Sequence, residues 1–159
     1  MRTRPARRPA PSLRDAATAA RVALLAASGL HLGFQSVVTT VVYPDLFGGT
    51  PRDVPGRQPA HVRAIAPLAG VVYVSLAGAA GWAAVTSLRS TDGGRTATAL
   101  SCAAAALAPL VTAAVSVPLQ VGVARGRVSK SRLETIRVVD RVRTGASAVG
   151  VVAAARALL

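Results

Sequence analysis

The chain has 159 residues, of which 52% are hydrophobic and only 16% charged, and its mean hydropathy of +0.46 is too high for an ordinary soluble domain of this size and excludes wholesale disorder. The net charge of +13 ordinarily suggests nucleic acid. Here, however, the cations lie in an N-terminal tail and between apolar blocks, and the five aromatics (Phe34, Tyr43, Phe47, Tyr73, Trp82) are not interleaved with them, so the expected partners are membrane lipids, with anionic headgroups at the Arg-rich loops, and no nucleic acid.

Residues 1–21 carry six arginines and prolines at 5, 9 and 11, which predicts a disordered tail. A transit peptide shares the Arg-rich, acid-poor make-up, but the prolines spoil the amphipathic helix that import requires. A cleaved signal peptide fits no better, because the next apolar run exceeds the roughly 7 to 15 residues of an h-region. That run, Val22 to Phe47, has no charge before Asp45 and predicts a spanning helix over 22–46, given that about 20 residues cross a hydrocarbon core. Ala64 to Leu88, bracketed by Arg63 and Arg89, predicts a second over 63–88. Thr96 to Ala124 predicts a third over 96–123, with a kink at Pro109 that a bundle tolerates.

A fourth helix is expected over 134–158, but only the twelve residues Thr144 to Ala155 are free of charge. They cover about 18 Å against a core of about 30 Å. If this helix crosses, Asp140, Arg141 and Arg143 are drawn to the membrane boundary or below it; a tilted interfacial helix that never crosses is the alternative. The connections are short: Gly48 to Arg63 is rich in Gly and Pro, Asp92-Gly93-Gly94 reads as a turn, and Arg125 to Leu133 is basic. The fold class is therefore all-α, a four-helix transmembrane up-and-down bundle forming one domain over 22–159. No internal repeat is evident. Lys and Arg number nine on the side of the N-terminus and ten on the other, so the positive-inside rule does not discriminate. A multi-pass protein of the cell membrane with a cytoplasmic N-terminus is expected because the first flank often dominates.

Ser28, His31, Gln35 and Thr39 are spaced three, four and four, which puts them on one stripe of the first helix. Lipid cannot satisfy such a stripe. It must face the bundle, where polar pairs across helices contribute about 0.6 to 2 kcal/mol each. Gly29 and Gly33 form a small-xxx-small pair expected to admit a neighbouring backbone. Thr112, Ser116 and Gln120 give the third helix a matching stripe, and the two stripes are expected to face each other, as interhelical glue or as a ligand cavity with His31 deep inside. An ionisable group near the midplane is a functional candidate by default. With only His31 and His61 as histidines and no Cys or carboxylate at ligand spacing, no metal, haem or other cofactor is expected. Cys102 is alone, cannot form an intrachain disulfide, and reads as a small core residue.

The up-and-down topology brings four ends to one membrane face: Tyr43-Pro44-Asp45, His61 with Arg63, Pro118 with Gln120, and the start of the fourth helix with Glu134, Arg137, Asp140 and Arg143. Asp140 follows Arg137 by three and precedes Arg143 by three. Exposed, such a pair contributes under about 1 kcal/mol; sunk below the headgroups, it is a fixed site for an anion or a polar ligand group. The ligand-binding candidates are His31, Gln35, Tyr43, His61, Gln120, Asp140 and Arg143. No catalytic residue is assigned, and self-association into a homo-oligomer stays open.

Three short motifs carry a resemblance: the aromatic-Pro exit Val42-Tyr43-Pro44, the exit Val117-Pro118-Leu119-Gln120, and the start Asp140-Arg141-Val142-Arg143. Over its four helices the chain resembles small integral membrane proteins of unknown function, many of them actinobacterial, and more distantly the anthrone oxygenase-like membrane protein family. The resemblance implies a four-helix membrane fold and, for the oxygenase-like members, a site to which His31, Gln120, Asp140 and Arg143 would correspond. Arg143 matches the family pattern, whereas Gln120 and Asp140 stand where those members are expected to carry Asn.

Overall fold

The computed structural model describes residues 12–50, 52–89 and 93–159, and within them there is no strand. Four helical rods form the fold: α1 (Leu13–Leu46), α2 (Val54–Leu88), α3 (Arg95–Ala124) and α4 (Lys130–Arg156).

The rod starts follow from local chemistry. Ser12 Oγ accepts from the Asp15 amide at 3.2 Å and the Asp15 carboxylate accepts from the Ser12 amide at 3.2 Å, a reciprocal cap. This starts α1 at Leu13, inside the segment expected to be a disordered tail; residues 1–11 of that segment lie outside the described residues. Similarly, α2 starts at Val54 rather than 63, because Pro55 sits in its first turn, where a missing N–H has no partner to lose. Ser129 caps α4 by accepting from the Arg132 amide at 3.2 Å, four residues ahead of the expected 134. The turn read at Asp92-Gly93-Gly94 lies partly outside the described residues. Gly94 itself is sterically required: a Cβ there would sit 2.8 Å from the Ala157 carbonyl and 2.9 Å from the Arg21 guanidinium carbon.

Two rods contain a π-helical turn, Val38–Val42 in α1 and Thr112–Ser116 in α3. Tyr43 N–H bonds to Val38 O and Val117 N–H to Thr112 O, each five residues back. Both turns end two residues before a proline, Pro44 and Pro118. A proline ring clashes with the carbonyl four residues earlier, and widening the turn just ahead of it lets the helix continue. The irregularity in α3 therefore belongs to Pro118 and begins beyond Pro109, where a kink was expected.

Cross-links between rods fix the topology. Tyr43 lies near His61 and His31 near Tyr73, Tyr73 near Thr112 and Cys102 near the Ala80 carbonyl, Ser101 near Gly150, and Gln35 near Asp140 with His31 near Ser147. For α1–α2, α2–α3 and α1–α4 one number falls as the other rises, so these neighbours are antiparallel, and α3 and α4 must then be antiparallel too, in ring order α1-α2-α3-α4. α4 closes that ring and packs between α3 and α1; among the described helices it is the rod that does not meet the length and apolarity of a membrane span.

Buried positions on α1 (Ala17, Arg21, Leu24, Ser28, His31, Gln35, Val38) and on α4 (Leu133, Ile136, Asp140, Arg143, Ser147, Gly150, Ala154) alternate by four and three. That is the spacing that keeps one seam facing a neighbour. The polarity is inverted relative to a soluble protein: Val74 is 73% and Leu110 65% exposed, whereas Asp140 is 1% and Gln35 0% exposed. Outward apolar side chains and inward polar ones suit a lipid surround. α1, α2 and α3 are each long and apolar enough to cross a membrane, and the chain fits a membrane protein. Gly29 and Gly33 lie on the outer face with nothing within 4 Å of the place a Cβ would take, so they do not seat a neighbouring backbone within the bundle as expected.

Two apolar clusters cap the interior. Val38, Tyr43, Leu46, Phe47, Val54, Val123, Leu133 and Ile136 pack at one end; Ala20, Leu24, Ala83 and Ala154 pack at the other. Between them lies the polar layer.

Candidate functional site

The layer is built around Asp140 and Arg143, one turn apart on the buried seam of α4. Arg143 Nη1 lies 3.8 Å from Asp140 Oδ1. Gln35 of α1 bridges the pair: its Nε2 donates to Asp140 Oδ1 at 2.6 Å and its Oε1 accepts from Arg143 Nη2 at 2.9 Å. Thr39, one turn on, donates to Asp140 Oδ2 at 2.5 Å, with the Thr144 hydroxyl 2.7 Å from its own. The carboxylate thus accepts through both oxygens. The paired charges and the bonds to the carboxylate offset the cost of burial, although Arg143 Nε is itself buried without a partner.

A second branch runs from Arg143 into α2 and α3. Its Nη2 donates to the Tyr73 hydroxyl at 2.5 Å, which lies 3.1 Å from Thr112 Oγ1, and Thr112 donates to the Ala108 carbonyl at 2.7 Å. With the Thr112 proton so used, Tyr73 must donate to Thr112, and every donor in the chain points away from Arg143. His31 ends a third branch. Ser147 donates to the Arg143 carbonyl at 2.8 Å and its oxygen lies 3.2 Å from His31 Nδ1, which makes Nδ1 the protonated nitrogen. His31 Nε2 is buried without a partner, as is the Ser28 hydroxyl.

Depth follows from helix geometry. Tyr73 is ten residues beyond Arg63 and sixteen before Arg89, about 15 Å and 24 Å along α2. The guanidinium it holds is therefore well inside the apolar belt.

Beside this layer is a cavity of about 160 Å³ between α1, α2 and α3, reached by Arg143 of α4. Phe34, Val38, Ile65, Ala66, Ala69 and Val117 form an apolar wall, and Tyr43, His61, Tyr73, Thr112, Gln120 and Arg143 supply polar groups. Gln120 Nε2 donates to the Tyr43 hydroxyl at 3.0 Å, and Gln58 Nε2 donates to Gln120 Oε1 at 3.3 Å. The Gln58 carbonyl oxygen is buried and unpartnered. A separate cleft of about 120 Å³ reaches Asp140 from the other side, past Thr39, Tyr43, Arg137 and Arg141.

No family model, no curated protein and no solved structure matches this chain.

The expected site residues accordingly divide into two groups. Tyr43, His61, Gln120 and Arg143 meet at the cavity, whereas His31, Gln35 and Asp140 stand behind it, as supports of Arg143 and Ser147. The stripe on α1 faces α4, and the stripe on α3 meets Tyr73 and Gln58 of α2 and Tyr43 at the end of α1; the two stripes sit on diagonal rods and do not face each other as expected. Arg137 is not the partner of Asp140, since its guanidinium lies 5.6 Å over the Phe47 ring. Cys102 is half-buried and unpaired by any disulfide. Among the described residues no three His, Cys, Asp or Glu side chains cluster as metal ligands would. Sequence reasoning missed Tyr73, Gln58, Thr144 and Ser147. Tyr73 carried a usable signal, being a phenol within a charge-free block whose hydroxyl must find a partner. Thr144 and Ser147 continue the spacing begun by Asp140.

Proposed function

We propose that this chain is a multi-pass protein of the cell membrane, with its N-terminus in the cytoplasm, whose polar layer binds a small amphipathic ligand or lipid group. The observation that carries this reading is the Arg143 guanidinium, braced from behind by Gln35 and Asp140 and lining a cavity whose other walls are mostly apolar. A few convergent polar groups in an apolar pocket characterise small-molecule sites. A cavity of about 150 Å³ holds one benzene ring, so the part of the occupant seated there is a single ring or short chain bearing a carboxylate or carbonyl for Arg143 and the Gln120 amide. Titration of the detergent-solubilised protein with benzoate and with toluene tests this. Benzoate should raise the melting midpoint and toluene should not, and Gln120→Leu should weaken the benzoate response several-fold. Equal responses to the two probes, or an unchanged response in Gln120→Leu, would overturn the reading.

The second reading is a membrane-embedded anthrone oxygenase-like enzyme. It draws support from Gln120 and Arg143, two positions of the resemblance, lining the same cavity. The cavity seats about one ring, so the remaining rings of an anthrone would extend beyond it. Incubating purified protein with an anthrone and oxygen decides it, since absence of turnover sinks this reading and leaves the first intact.

A further inference from the structure

At the opposite end of the bundle from the Arg143 cavity, a groove of about 440 Å³ runs between the last turns of α2 and the first turns of α3. We propose that this groove holds an anionic phospholipid, with its phosphate at the start of α3 and an acyl chain along the apolar part. The start of α3 has no side-chain cap, because Gly94 occupies the N-cap position, and the first intrahelical bond is Thr98 N–H to Gly94 O at 2.9 Å. The amides of Arg95, Thr96 and Ala97 therefore have no acceptor within the helix and present the positive end of its dipole.

Ser87 is a second, independent observation. It lines the groove, is only 9% exposed, and its hydroxyl has no partner. Neighbouring Thr86, by contrast, returns its hydroxyl to the Trp82 carbonyl. A buried donor left free in this way wants an acceptor. The exposed Arg95 side chain forms part of the same wall. From Arg95 the groove descends to Cys102, about 10 Å along α3, past Ala99 and Leu88. The depth suits a lipid, because the charge-free stretch of α2 ends at Leu88, placing Arg89 and Arg95 at headgroup level and Cys102 among the chains. A free phosphate would use the helix start and leave the apolar length unused.

Native mass spectrometry of the full chain in detergent, with equal dioleoylphosphatidylglycerol and dioleoylphosphatidylcholine, tests the proposal. One phosphatidylglycerol should be retained with about tenfold preference, and Arg95→Gln should bring the two lipids near parity. Arg95 is exposed, so this variant folds. Arg127→Gln, at the other end of the bundle, should keep the preference. Parity in the unmodified protein, a preference surviving Arg95→Gln, or equal loss in Arg127→Gln would overturn the site. Displacement of the lipid by millimolar inorganic phosphate would show a free-anion site instead, overturning the lipid assignment. None of these outcomes depends on the Arg143 cavity.

Discussion

The Gln35 amide is oriented by its neighbours: carboxylate on one side, guanidinium on the other, so its nitrogen must face Asp140 and its oxygen Arg143. This makes the acid and the amide exchangeable in principle. Gln35→Glu alone sets two carboxylates against each other, and Asp140→Asn alone strands Arg143, a loss on the order of 3 to 5 kcal/mol for a buried charge. The double variant restores one acid, one amide and one guanidinium, and its melting midpoint in detergent should lie above both single variants. A double variant less stable than either single would show that Gln35 does not bridge the pair. At this scale the sequence was informative about burial and silent about partners. A stripe of Ser28, His31, Gln35 and Thr39 shows that one side of α1 avoids lipid, but any of three neighbours could have met it. Only the ring order decides for α4.

Among the elements, the helix cores were legible and their starts were not. Long charge-free stretches dictate where a rod must pass through an apolar medium, whereas its beginning depends on a cap. The prolines at 5, 9 and 11 all precede Ser12, so they do not conflict with a helix starting at Leu13, and Pro55 is compatible with a first turn. Composition hid both facts by averaging over the segment. The outer face of α1 yields another prediction. Because nothing stands within 4 Å of a Cβ at Gly29 or Gly33, replacing both by Ala meets no clash and removes glycine's helix penalty of about 0.5 to 1 kcal/mol per site. The variant should be at least as stable as the parent in detergent, measured by melting midpoint. A clear loss would mean that these glycines seat a second copy of the chain, the homo-oligomer left open by the sequence.

For the whole molecule, the antiparallel ring puts the start of α1 and the end of α4 at one end, where Arg21, Gly94 and Ala157 approach one another. Cysteines introduced at the exposed positions Ser12 and Leu159, in a Cys102→Ala background, should both react with a membrane-impermeant maleimide from the same side of sealed vesicles. Reaction from opposite sides would rule out an even number of crossings. The ion pair has a consequence for biogenesis. An Asp or Arg at the centre of a lone helix raises insertion free energy by about 2.5 to 3.5 kcal/mol, and α4 carries Asp140, Arg141 and Arg143 within one turn. Its partners reside on Gln35, Thr39 and Tyr73, which are synthesised earlier. Crossing by α4 alone is therefore expected to be unfavourable, and crossing beside α1 and α2, which carry these partners, to be favoured.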